Sequence, residues 1–225
     1  MRNLRILLAA VFTAALLTLS ATTASAQVCS SLTLTTQAQV DVVNCSSVRG
    51  DVNISGSDIT NLNGLGGITS VGGDLWIHIN SALTNLDGLA GITGAVGGDL
   101  TISSNSALTN LAGLAGITSV GGDLNIVNNP ALTNLAGLAG ITSVGGNLQI
   151  DNNAVLDNFC GLYSLLDAGG LVGTYTVAAN ATNPTEAEIL AGGACLVTPV
   201  PSLAPLGIAM LGGLLGLAGL RRLRA

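Results

Sequence analysis

The chain contains no lysine. Five of its six arginines lie in the end segments (Arg2, Arg5, Arg221, Arg222, Arg224), leaving only Arg49 between them. All twelve acidic residues fall between Asp41 and Glu188, so a body from Gln27 to Pro199 carries one positive charge against twelve negative, a net −11 with His78 neutral. Such a surface repels nucleic acid and anionic lipid, and the body is expected to bind neither. Histidine and tryptophan occur once each, and aromatic residues make up 2% of the chain. Catalysis needs placed acids, bases or nucleophiles. There is no second histidine to share a metal, no Gly-x-Ser-x-Gly elbow and no short Cys-x-x-Cys spacing. Polysaccharide lyases and hydrolases built on β-helices need carboxylates or bases clustered in a groove, whereas the acidic residues here fall mostly in turns. The expectation is a protein that is not an enzyme, with no catalytic residue, no metal site and no cofactor.

What is present begins at the ends. Arg2 and Arg5 precede an apolar run from Ile6 to Leu19, followed by Ala24-Ser25-Ala26. This is the pattern of a secretory signal peptide, with cleavage expected between Ala26 and Gln27. At the other end, Leu203 to Leu220 is uncharged and is followed at once by Arg221, Arg222 and Arg224. About 18 apolar residues suffice to cross a bilayer, and a trailing basic cluster stays on the cytoplasmic side, so the body is expected outside. The order of Val200-Pro201-Ser202-Leu203, membrane helix and arginine cluster resembles the PEP-CTERM sorting signals of bacteria, in particular the IPTL type, departing from Ile-Pro-Thr-Leu at two positions. That resemblance implies a sorting peptidase of the exosortase type as a partner, a Gram-negative host and a body exported to the cell envelope or cell surface.

Four cysteines remain: Cys29, Cys45, Cys160 and Cys195. An even count in an exported chain points to disulfides. Three pairings are possible, and Cys29–Cys45 with Cys160–Cys195 is the favoured one because each would staple one end of the body.

Internal repetition is the strongest signal. Ser70-Val71-Gly72-Gly73-Asp74-Leu75 returns at Ala95–Leu100, at Ser119–Leu124 and at Ser143–Leu148, where Asn147 replaces the aspartate. The repeated valines Val71, Val96, Val120 and Val144 are 25, 24 and 24 residues apart, and the extra residue at Gly94-Ala95 reads as a loop insertion. A degenerate copy begins at Val48, making about five coils. Leu124-Asn125-Ile126-Val127 alternates as a strand with one buried face does. Apolar residues then recur at every third position (Leu132, Leu135, Leu138, Ile141, Val144), with Gly137 and Gly140 between them. Those glycines disfavour a helix, so the return path is expected to be extended with tight corners. Two asparagine columns, Asn80/Asn105/Asn129/Asn153 and Asn61/Asn85/Asn110/Asn134/Asn158, are expected to hydrogen-bond the neighbouring coil's backbone.

The unit Gly121 to Leu138 resembles a leucine-rich repeat and, more fully, the receptor L domain, over roughly Val48 to Leu162. That resemblance implies an all-β fold, a short right-handed parallel β-helix (β-solenoid) with N- and C-terminal caps. The expected organisation is a signal peptide at 1–26, an N-terminal cap at 27–47, repeats at 48–162, a C-terminal cap at 163–197 and the sorting signal with its transmembrane helix at 198–225. The C-terminal cap should hold a last strand at Thr174–Val177. A short helix should follow, with Thr185 as N-cap, Glu188 at its third position and Gly192-Gly193 ending it. The cysteine-rich modules of hormone receptors are absent, so hormone binding does not carry over.

Two outward columns on the strands remain to carry a ligand: Asn53, Trp76, Thr101, Asn125 and Gln149, and Ser55, His78, Ser103, Val127 and Asp151. Polar, short side chains suit a hydrated contact, and an aromatic plane can stack on a sugar. The expected binding residues are Trp76, His78, Thr101, Ser103, Asn125, Gln149 and Asp151, recognising a glycan or protein ligand in an adhesion-like role. The alternative is a structural envelope or matrix component with no specific ligand. Asp51, Asp74, Asp99 and Asp123 also form a column, for which calcium and simple turn chemistry are the competing readings. Ice binding is a remote third reading, because the outward columns lack a regular Thr-x-Thr array.

Overall fold

The computed structural model describes residues 27–194. The signal peptide and its cleavage at Ala26, Cys195, the sorting motif and the C-terminal apolar run lie outside the described residues. Among the described residues, no helix is long and apolar enough to cross a membrane.

Strands dominate. In chain order they are β1 (Val28–Cys29), β2 (Leu32–Leu34), β3 (Ser47–Val48), β4 (Val52–Ile54), β5 (Leu75–His78) and β6 (Gly94–Val96). They continue as β7 (Leu100–Ser103), β8 (Ile117–Val120), β9 (Leu124–Val127), β10 (Ser143–Val144), β11 (Leu148–Asp151) and β12 (Tyr175–Ala178). Seven of them form one parallel sheet in the order β12-β11-β9-β7-β5-β4-β2. Its register is unbroken: Leu75 lies beside Leu100, Leu100 beside Leu124, and Leu124 beside Leu148. Because side chains alternate across a strand, this register stacks leucine on leucine and isoleucine on isoleucine on the inner face. Leu75, Ile77, Leu100, Ile102, Leu124, Ile126, Leu148 and Ile150 are all fully buried. Burying one such side chain is worth ~1.5–3 kcal/mol, so each repeat adds a comparable increment to one continuous core.

A second, narrower ladder lies one corner away. It comprises the parallel pair β1-β3 and the parallel sheet β10-β8-β6, joined through bridges Val48–Val71, Val71–Val96 and Val144–Leu171. The extra residue of the longest repeat sits here as a bulge inside β6, where the register shifts at Gly94/Ala95 and Gly94 takes φ 89°. The expected loop insertion is therefore absorbed within a strand. The positive φ explains why glycine stands at that point.

The return path is not extended throughout, as the glycines had implied. Each repeat makes one turn of 3₁₀ helix, at Asn63–Leu65, Asp87–Leu89, Ala112–Leu114, Ala136–Leu138 and Cys160–Leu162. A 3₁₀ helix has three residues per turn, so apolar residues at every third position all face inward. The central glycine is required by close approach. A Cβ on Gly137 would strike the carbonyl of Leu111 in the preceding repeat, and one on Gly113 would strike that of Leu86. Low helix propensity is outweighed where only glycine lets the turns stack. Helix α1 (Gln37–Asp41), capped by Thr36, packs on the first of these turns.

The segments flanking the repeats take the end positions of both ladders. β2 and β12 are the edge strands of the large sheet, while β1 and Leu171 end the narrow ladder. At the C-terminal end, helix α2 (Tyr163–Asp167) and helix α3 (Glu186–Gly192) follow the last repeat. Helix α3 carries the expected capping box, with Thr185 and Glu188 bonding each other's backbone, and it ends at Gly193 with φ 78°. The whole is mostly strand with few helices, compatible with an all-β, solenoid-like fold.

Cys29 and Cys45 form a disulfide across 16 residues, with Cα atoms 5.9 Å apart, that pins β1 to the start of the first repeat. The other favoured pairing involves Cys195, outside the described residues; Cys160 itself is disulfide-bonded. A disulfide fits a chain that matures in an oxidising compartment.

Candidate functional site

The seven sequence-predicted residues all lie on the outer face of the large sheet. Trp76 and His78 come from β5, Thr101 and Ser103 from β7, Asn125 from β9, and Gln149 and Asp151 from β11. The register aligns Trp76, Thr101, Asn125 and Gln149 as one column and His78, Ser103, Val127 and Asp151 as the next. Both columns run further than the repeat pattern indicated. Thr33 precedes Asn53 at one end, and Thr176 and Ala178 follow at the other. No repeat signal marks those flanking residues; Thr176 falls in the expected last strand, and strand pairing places it and the others in the columns.

One part of this face is already ordered. His78 Nε2 lies 3.0 Å from Asn53 Oδ1, and an acceptor at that distance calls for the proton on Nε2. Asn53 sits next to Trp76 in the first column, so the three residues form a cluster on adjacent strands. Trp76 is half-buried between Asn53 and Thr101, which steadies the indole while leaving part of it to solvent. Further along, Asn125 Nδ2 approaches Thr101 Oγ1 at 3.5 Å. Sequence reasoning placed Asn53 in the column but did not identify its bond to His78, which joins residues 25 positions apart.

The face is bounded by a corner of aspartates. Asp51, Asp74, Asp99 and Asp123 each present Oδ1 to the backbone N–H of the equivalent residue in the next repeat, at 2.6–3.0 Å. Asn147 continues the series by accepting from the Thr174 N–H at 2.9 Å. The second glycine of Gly-Gly-Asp is explained by the same contact. A Cβ on Gly98 would occupy the position of Asp74 Oδ1, and one on Gly122 that of Asp99 Oδ1. The aspartate column thus bonds one repeat to the next, beyond the turn chemistry expected of it.

The opposite corner is bounded by buried asparagines. Asn105 Oδ1 accepts from the Asn80 N–H and Nδ2 at 3.1 and 3.0 Å, while Asn105 Nδ2 donates to Ile77 O at 2.9 Å. The pattern repeats through Asn129 and Asn153 to Asn180, where Asn183 closes it. Just before the four buried asparagines and half-buried Asn180, Ile79, Ser104, Asn128, Asn152 and Ala179 take φ between 53° and 58°. Isoleucine there, 60% exposed, is held in a conformation β-branched residues avoid.

Near-identical repeats allow an internal comparison. Between 96–119 and 120–143 only four positions differ: Thr101/Asn125, Ser103/Val127, Ser104/Asn128 and Ser106/Pro130. The first two pairs are the outward columns and the other two belong to the adjoining corner. Between these two repeats the exposed positions elsewhere, such as Thr109/Thr133 and Ala115/Ala139, are identical, while in the preceding repeat exposed Asp87 stands where Ala112 and Ala136 follow.

Away from this face, a hollow of about 460 Å³ at the C-terminal end is lined by Asp157, Phe159, Pro184, Glu188 and Ile189 among others, and contains none of the predicted residues. Beside it, the Tyr175 hydroxyl donates to Pro184 O at 2.7 Å. Burial, and then the nearby Glu186 and Glu188, push that phenol well above its ordinary range. The hydrogen bonds from the Thr185 backbone and side chain hold the Glu188 carboxyl below its usual value.

No protein-family model matches the chain. No curated protein matches it either.

Proposed function

We propose that the chain is a non-enzymatic binding module displayed at the cell surface, recognising glycan or protein through the outer face of the large sheet. The finer architecture belongs to the same reading: a short right-handed parallel β-helix resembling the receptor L domain, with its ends capped. So do export by the signal peptide, processing by an exosortase-type peptidase and a C-terminal membrane anchor, in the envelope of a Gram-negative bacterium.

The observation that carries this reading is that all four differences between 96–119 and 120–143 fall on the outer face of the large sheet or its adjoining corner. Repeats that stay the same at exposed Thr109 and Thr133, or Ala115 and Ala139, change at both outward positions of the strand. The Cys29–Cys45 disulfide and the acidic body are consistent with life outside the cytoplasm.

The structural reading has its own support. The asparagine and aspartate ladders account for nearly every recurring polar residue without any ligand. A screen of the full chain against glycan and envelope-protein panels, run beside Trp76→Ala and Asp151→Ala, separates the two. A ligand that binds the parent chain and is lost with these substitutions is expected. Ligands indifferent to both substitutions would leave the structural reading standing.

A further inference from the structure

The outer face of the large sheet has a definite size and charge, and both narrow its ligand. Seven strands at ~4.8 Å spacing and about four residues of ~3.3 Å each give a strip of roughly 29 by 13 Å, about 400 Å². A stable protein–protein contact takes ~800 Å² from each partner, and its hot spots are clustered aromatic residues and arginine. This strip is half that area, and Trp76 is its one aromatic side chain. A folded protein is therefore a poor fit. An extended peptide gains affinity by adding a strand at a sheet edge, and the face offers it no free backbone ladder.

The columns themselves carry one acidic side chain, Asp151, and no lysine or arginine. They offer the amides of Asn53, Asn125 and Gln149, the hydroxyls of Thr33, Ser55, Thr101, Ser103 and Thr176, and one indole. The flanking aspartates engage Oδ1 with the next repeat, yet they leave the border of the strip negative. A polyanion such as a uronate or a phosphorylated polymer is repelled by it. A long, narrow, neutral ligand rich in hydroxyl groups is not.

Resting on the reading that this face is the binding site, we propose that it takes an unbranched neutral glycan laid across the strands, along the column Asn53–Trp76–Thr101–Asn125–Gln149. The ~4.8 Å step from strand to strand is close to the advance of one pyranose unit in an extended chain, so successive sugars meet successive strands. Trp76, steadied between Asn53 and Thr101 with His78 bonded to Asn53 beside it, is the stacking platform for one sugar ring. The amides of Asn125 and Gln149 meet hydroxyls further along.

Titrating the full chain with gluco-oligosaccharides of graded length and linkage tests this directly. Trp76 is the sole tryptophan, so its emission reports the site alone. The expected result is a change in emission with affinity rising up to roughly five sugar units, one per strand of that column, then levelling. By calorimetry, Trp76→Ala should weaken every oligosaccharide by about tenfold, while Gln149→Ala weakens the long ones and spares the disaccharide. An unchanged thermal midpoint in both variants shows the fold is intact. If oligogalacturonate or a protein perturbs Trp76 and the neutral sugars do not, the face reading stands and the neutral glycan falls. If no probe perturbs Trp76, or binding ignores both substitutions, both are overturned.

Discussion

Asn80, Asn105, Asn129 and Asn153 recur once per repeat, and so do Asn61, Asn85, Asn110, Asn134 and Asn158. In the sequence the two columns look equivalent, yet in the fold they do different work. The first is fully buried and reaches from one repeat to the next. The side chains of the second stay within their own repeat: Asn85, Asn110, Asn134 and Asn158 each accept at Oδ1 from the N–H two residues ahead, at the start of the 3₁₀ turn, 3.1 Å away. The inter-repeat role expected of both columns therefore holds for one. The second column lies at a half-exposed to exposed corner and satisfies a turn N–H that water could also reach. A recurring residue marks a need common to every repeat, and burial decides whether that need is long-range.

The contrast can be broken most forcefully at Asn129. Asn129→Ala would orphan the Asn105 N–H in the interior and remove a second donor from Ile102 O, which keeps its strand ladder. At ~1–3 kcal/mol per buried unsatisfied group, a loss of about 3 kcal/mol is expected by denaturant titration. Asp99→Ala comes next. It removes one partly buried acceptor from the Asp123 N–H at 2.8 Å, and ~1.5 kcal/mol of lost stability would set the aspartate column between the two asparagine columns. Ile79→Asn should act with the opposite sign, because asparagine tolerates φ 58° where isoleucine does not. A gain of ~1 kcal/mol in thermal unfolding is expected. Asn134→Ala should lose only ~0.5 kcal/mol, since the Ala136 N–H lies at the exposed corner. Amide exchange sharpens the same comparison: the Asn105 N–H should exchange far more slowly than that of Ala136.

The smallest effect concerns pH at the C-terminal helix. Glu188 has a folded pKa below its unfolded value, so its contribution is present above the ordinary carboxylate range and is lost as pH falls through the lowered folded value. Glu188→Gln should flatten the acid side of the stability curve in that window. An unchanged curve would show that the capping box is not coupled to folding.

Much of the fold was legible because stacking imposes itself on every repeat. The strand alternation at Leu124–Val127, the buried asparagine column, the capping box at Thr185 and Glu188 and the Cys29–Cys45 pairing are each local or periodic, and periodic demands leave periodic residues. The 3₁₀ turns were misread because Gly137 lowers helix propensity locally, while its reason for being there is the Leu111 carbonyl of the preceding repeat. The same holds for Gly98 beneath Asp74. Such residues answer a neighbour 24 or 25 positions away, and propensity carries no record of it. The outward columns were legible by alternation alone. The bond from His78 to Asn53 was not, because both positions vary between repeats and so carry no pattern.

By itself, then, the sequence determined the repeat, its length, the alternation that assigns inner and outer faces, and the acidic, cation-poor character of the body. Those are statements about period and composition, which need no partner to be read. The tertiary structure alone decided which of two identical-looking asparagine columns bonds repeat to repeat and why glycine precedes each aspartate. It also decided that 28–34 and 171–178 pair onto the repeats they do not resemble. In each case the deciding group belongs to a neighbouring repeat; for the flanking strands it is a free backbone edge in register, and a backbone edge has no sequence.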